Sequence, residues 1–127
     1  MQHKLKSSRV SGAFAVCRLP AKSAVPDWGL RAEIFSVVST ADEVSVVCPQ
    51  AQVPSGVKHE QGWTCLKIEG PFPFSQTGVL SSFLQPLAEQ AISIFALSTF
   101  DTDYVLVKQE SLEKALAALR AAGHEQI

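Results

Sequence analysis

The sequence predicts an α+β fold built from two related units, and three observations carry that prediction. First, two apolar runs, Ile92–Phe100 and Tyr104–Lys108, flank a polar corner at Asp101, Thr102 and Asp103, the pattern of two strands joined by a tight turn. Second, apolar residues recur at helical spacing on both sides of that hairpin: Val79, Leu80, Phe83, Leu84 and Leu87 before it, Leu112, Ala115, Leu116 and Leu119 after it. Third, a Ser-Thr-x-Asp corner stands in each half of the chain, at Ser39–Asp42 and Ser98–Asp101. Each corner follows a strand that opens on Ile-Phe, at Ile34–Phe35 and Ile94–Phe95, and precedes a β-branched run, which favours an internal duplication.

Taken in order, Met1–Ser11 is polar, and Lys4, Lys6 and Arg9 within it read as a solvated, loosely held terminus. Ala13–Leu19 is the first apolar run, closed by Pro20, which has no N–H to give a central ladder. Ala21–Leu30 is too broken by Pro26 and Gly29 for a full helix, and its Trp28 is predicted to plug the core. Glu33–Thr40 and Glu43–Cys48 form a hairpin with a corner at Ala41–Asp42. Gln50–Gly56 reads as a loop or single turn, Val57–Glu60 as a short extended piece, and Gln61–Gly62 as a turn. This places a divergent first unit at residues 1–61, with most of its helices lost, and a second unit at 62–127. A helix-poor first unit leaves one sheet face bare, so the two are expected to pack into one body.

Within the second unit, Trp63–Glu69 is the leading strand, and Gly70–Ser75 is a rigid, proline-broken link to the helix. Ser75 or Thr77 is placed to cap that helix, and Pro86 should kink it or end it early, because proline removes a helical hydrogen bond. The last helix carries Ser111 at its N-cap position, Glu113 in its first turn, Arg120 in its last and Gly123 as a left-handed stop. With His124–Ile127 as a possible closing strand, the order is that of the ferredoxin-like β-α-β-β-α-β motif.

Bulk properties narrow the function. At 127 residues, with 46% hydrophobic and 18% charged side chains, the chain has ordinary globular composition and suits one domain or two very small ones. A net charge of −1 gives no basis for binding nucleic acid or an anionic membrane. Neither a membrane span nor the apolar core of a secretory signal is present, which predicts a cytoplasmic protein. Cys17, Cys48 and Cys65 are odd in number, isolated, and set in apolar runs, so they read as reduced, buried thiols. Together with the scattered His3, His59 and His124 they offer no metal-ligand spacing, and no metal or cofactor is predicted.

No catalytic constellation stands out. Asp101 and Asp103 share a face at strand spacing, yet aspartates at a hairpin tip also serve simply as turn residues. Gly70 and Gly78 are too far apart for a phosphate loop and lack its lysine. Binding has better support. Backbone N–H groups at the helix start near Gly78 suit a carboxylate, and the corner Thr99–Asp103 supplies hydroxyls and negative charge for an ammonium or guanidinium group. The alternative remains that Ser75, Thr77 and Ser81 only cap a helix and the aspartates only turn a hairpin.

The segment from Glu69 to Leu119, EGPFPFSQTGVLSSFLQPLAEQAISIFALSTFDTDYVLVKQESLEKALAAL, resembles an ACT domain. More specifically, it is similar to the small tandem-ACT proteins related to the regulatory region of aspartate kinase and to the cytosolic arginine sensor CASTOR. The markers are Gly78 followed by Val79–Leu80, the re-entry at Gln90–Ile94, and the hairpin STFDTDYVLVK; Phe14–Leu19 and Glu43–Pro49 resemble the divergent N-terminal unit of the same proteins. The resemblance implies two ferredoxin-like units and an amino acid bound at an interface between ACT units. It carries over to Ser75, Gln76, Thr77, Gly78 and Val79 on one wall, and to Thr99, Phe100, Asp101, Thr102 and Asp103 on the other. With no kinase domain in the chain, any regulated metabolic enzyme would be a separate protein. Two units where the arginine sensor has four imply a homodimer. The expectation is a non-enzymatic amino-acid-binding regulatory protein; the alternative is an interaction module with a vestigial site that docks onto an enzyme.

Overall fold

The computed structural model describes residues 3–30 and 32–127, which divide into two compact units. The larger comprises the N-terminal stretch up to Ser11 together with Thr64–Ile127; the smaller is Gly12–Trp63. The start of the chain thus groups with the second half of the sequence, across the division at 61/62.

The larger unit contains β1 (Lys6–Arg9), the later residues of β5 (Lys58–Ile68), α1 (Val79–Glu89), β6 (Ile94–Ser98), β7 (Asp103–Lys108), α2 (Leu112–Ala121) and the short β8 (Glu125–Gln126). Its strands lie in the order β6-β7-β5-β1-β8. The terminus expected to be loose is therefore a strand, antiparallel to β5 with Ser7 opposite Ile68 and Arg9 opposite Leu66. The inward residue of β1 is a serine, only 2% exposed, so no alternation of apolar and polar residues betrayed it. The closing strand also differs from expectation. β8 pairs in parallel with β1, and the place beside β5 that a C-terminal strand takes in a ferredoxin-like sheet is filled by β1.

Both helices present one apolar face to a core of Leu66, Ile68, Val105, Val107 and Ile92. Val79, Phe83 and Leu87 do so from α1, and Leu112, Ala115 and Leu119 from α2, at the spacing read from the sequence. Neither Ser75 nor Thr77 caps α1. Gly78 is the N-cap residue, at φ +82°, and no side chain caps the helix there. Nor does Pro86 end the helix, which continues to Glu89. Gly123 does close α2 in the left-handed region, at φ +93°.

The smaller unit holds β2 (Phe14–Pro20), β3 (Ser36–Ser39), β4 (Glu43–Pro49) and the first residues of β5, in the order β3-β4-β2-β5. Among its described residues the only helical turn is a 3-10 turn at Gln50–Gln52. The piece read as an extended stretch followed by a turn at Gln61–Gly62 is part of one strand. Opposite Phe14–Val16 the register slips between Trp63 and Glu60, so β5 carries an extra residue there, and Gly62 at φ +84° supplies the left-handed backbone of a bulge. The two Ser-Thr-x-Asp corners are built alike. Thr40 N–H donates to the Glu43 carbonyl and Thr99 N–H to the Thr102 carbonyl, each 2.8–2.9 Å away, while each threonine hydroxyl accepts a backbone N–H from the far side of its turn.

Cys17 and Cys48 lie in the core of the smaller unit with Ala15, Val44 and Val46, against which Trp28 packs as predicted. All three cysteines are buried thiols and none is in a disulfide. Burial pushes the Cys48 thiol up to about 12, helped by the neighbouring Cys17, and burial also raises Cys17. A thiol held above its unfolded value binds its proton more tightly in the folded state. Its stabilisation is complete below pH 9.0 and is lost as pH rises through about 12. Urea denaturation at stepped alkaline pH should show stability falling by up to about 1.4 kcal/mol per pH unit across that window. Cys48→Val should flatten the slope; an unchanged slope in that variant would place the effect on other groups.

Candidate functional site

In the larger unit the link between β5 and α1 runs alongside the corner between β6 and β7, and short-range bonds stitch them together. The Phe72 N–H donates to the Asp101 carbonyl at 2.8 Å, and the Thr102 hydroxyl donates to the carbonyl of Ile68, the last residue of β5, at 2.6 Å. Thr102 is buried, so that second bond forms away from competing water. Gly70 makes the approach possible. A Cβ at that position would lie 2.9 Å from the Asp101 carbonyl oxygen and 3.2 Å from the Thr102 Cβ.

Between these two segments lies a cleft of about 210 Å³. That is smaller than the roughly 300–1,000 Å³ typical of drug-sized or cofactor sites and suits a single small metabolite. Of the residues singled out from sequence, Gln76 and Val79 line one wall and Thr99, Phe100, Asp101, Thr102 and Asp103 the other. Ser75, Thr77 and Gly78 do not line it. Gly78 sets the start of α1, and the Thr77 carbonyl lies 2.9 Å from the His3 ring nitrogen Nε2.

Sequence reasoning missed Phe72, Pro73, Phe74 and Ser98, which also line the cleft. Ser98 was within reach of inference, since it faces Asp103 across the hairpin register; its hydroxyl donates to Asp103 Oδ1 at 2.5 Å. Phe74 and Phe100 meet edge to face with ring centroids 4.8 Å apart, yet they are 76% and 78% exposed. Two large aromatics left in solvent at a cleft mouth form an apolar rim of the kind that marks interaction sites.

The cleft is electrostatically one-sided. Asp101 and Asp103 contribute carboxylates, and no lysine, arginine or histidine is among the described residues that line it. No cysteine lines it either, and the Ser98 and Thr99 hydroxyls are engaged with Asp103 and the Thr102 carbonyl. The arrangement is suited to holding a ligand with a cationic group. Among the described residues no group of three His, Cys, Asp or Glu is placed to hold a metal ion, and no helix is long and apolar enough to cross a membrane.

These features define an α+β protein whose larger unit is ferredoxin-like and carries a small cleft at the β6–β7 corner. The chain belongs to the ACT-domain family: the family model for an ACT domain matches residues 58–121, and a second model, for an N-terminal domain, matches residues 12–56. The human protein CASTOR3P is 30% identical over 96 residues, a match that spans 65% of this chain and 58% of that protein. Protein Atu0741 from Agobacterium tumefaciens has a structure that superposes with a TM-score of 0.93 at 38% identity, covering 98% of this chain and 93% of that one. The regulatory subunit of aspartate kinase from Thermus thermophilus shares the fold at a TM-score of 0.59 and 12% identity, over 87% of this chain and 91% of that subunit.

Proposed function

We propose that the protein is a non-enzymatic regulatory protein that binds a free amino acid in the cleft between the β5–α1 link and the β6–β7 corner. The observation that carries this reading is the convergence of Asp101 and Asp103 with Gln76 and Val79 around a space of metabolite size, with no cation among the described residues that line it. The carboxylates would receive the ligand's ammonium group. The ligand's own carboxylate would be received at the start of α1, which no side chain caps. A second copy of the chain would cover the exposed Phe74–Phe100 rim and complete the site between ACT units, giving a homodimer that acts in the cytoplasm on a separate metabolic enzyme. Signalling then follows from differential affinity, the ligand favouring one arrangement of the paired chains over another.

A thermal-shift screen against the free amino acids tests this directly. A ligand at 100 times its Kd that binds only the folded protein should add about 2.7 kcal/mol of stability. The response should disappear in Asp103→Ala, which also releases the Ser98 hydroxyl. A flat screen at millimolar concentration would favour the second reading, a module that docks onto an enzyme through the exposed Phe74 and Phe100.

A further inference from the structure

Helix α1 contains a proline and nevertheless runs past it. Pro86 has no N–H, so the carbonyl four residues earlier, that of Ser82, loses its regular donor within the helix. Ser82 is buried, and a carbonyl left unpaired there would cost the helix part of its stability. The missing donor comes from 42 residues further along the chain: the His124 ring nitrogen Nε2 lies 2.9 Å from the Ser82 carbonyl oxygen. The other ring nitrogen fixes which atom carries the hydrogen. Nδ1 lies 3.0 Å from the backbone nitrogen of Leu5, and a backbone N–H can only donate, so Nδ1 is the acceptor and Nε2 carries the proton. His124 is 5% exposed, with its ring 5.6 Å from that of Phe83.

We infer that His124 is a positioning residue whose Nε2–H replaces the amide hydrogen that Pro86 lacks, so that α1 is held continuous and tied to the β1 segment by one side chain. The ring joins three elements in a single chain of bonds, from the Leu5 N–H before β1, through the residue ahead of β8, to the middle of α1. A parallel link runs beside it, where His3 N–H donates to the Ser82 hydroxyl. Val79, three residues before Ser82 on the same helix, lines the cleft. The inference concerns α1 itself and stands whether or not the cleft holds an amino acid.

The test is a double-mutant cycle on the full chain. Pro86→Ala restores an amide at 86 and a second donor for the Ser82 carbonyl, so it should relieve the dependence on His124. His124→Leu alone should lower Tm by about 10 °C, and by about half as much in the Pro86→Ala background, where only the Leu5 N–H is left without its partner. Equal losses in the two backgrounds would overturn the inference. Nitrogen NMR of the wild-type ring gives an answer that does not depend on the variants folding. A protonated, slowly exchanging Nε2 with an unprotonated Nδ1 supports the assignment, and the opposite tautomer sinks it.

Discussion

Replacing Gly70 with valine is expected to destabilise the protein by about 2–3 kcal/mol, a typical cost of overpacking a tight contact. The new Cβ would stand 2.9 Å from a backbone oxygen, that of Asp101, and 3.2 Å from the Thr102 Cβ. Neither neighbour is the free end of a flexible side chain. The corner cannot retreat without breaking the buried bond from the Thr102 hydroxyl to Ile68, and the link cannot retreat without breaking the bond from the Phe72 N–H to Asp101. Gly70→Ala should shift the urea midpoint in the same direction and by less. Because the clash forces apart the two walls of the cleft, the valine variant should also lose any amino-acid response even under conditions where it stays folded. A wild-type midpoint in Gly70→Val would show that the two segments are not locked together.

The second large effect is expected at Phe83, where truncation to alanine should cost about 3–5 kcal/mol through lost burial and the cavity left behind. Phe83 is fully buried at the centre of the larger unit, on the face of α1 that also carries Val79 and Leu87. Against a total stability of about 5–15 kcal/mol for an ordinary domain, such a loss would leave the unit marginal. Urea denaturation followed by circular dichroism measures it. Phe83→Leu, which keeps most of the volume, should recover much of the loss; a result within 1 kcal/mol of wild type for Phe83→Ala, on the order of a surface substitution, would mean that the core is centred elsewhere.

Much of this molecule is written locally. The spacing of Val79, Phe83 and Leu87, and of Leu112, Ala115 and Leu119, marks the buried faces of both helices, because helical geometry maps a sequence interval onto one side of a cylinder. The paired Ser-Thr-x-Asp corners specify their turns, since the threonine hydroxyl and backbone act within three residues of each other. The resemblance to ACT domains points to Ser75–Val79 on one side and Thr99–Asp103 on the other; of these, Gln76, Val79 and the five corner residues line the cleft, and Ser75, Thr77 and Gly78 do not.

The tertiary structure decided what depends on partners far along the chain. β1 has no apolar period of its own and is a strand only because β5 and β8 offer it hydrogen bonds. Gly62 reads as a turn in isolation and becomes a bulge only when β2 fixes the register on either side. Phe74 and Phe100 are ordinary core residues by composition, and their meeting in solvent follows from two loops being stitched together. Pro86 is expected to kink α1 or end it early, yet the helix runs on to Glu89; the Ser82 carbonyl that loses its regular donor meets a histidine 42 residues further on, and a hydrogen bond at that separation leaves no periodic trace in the sequence.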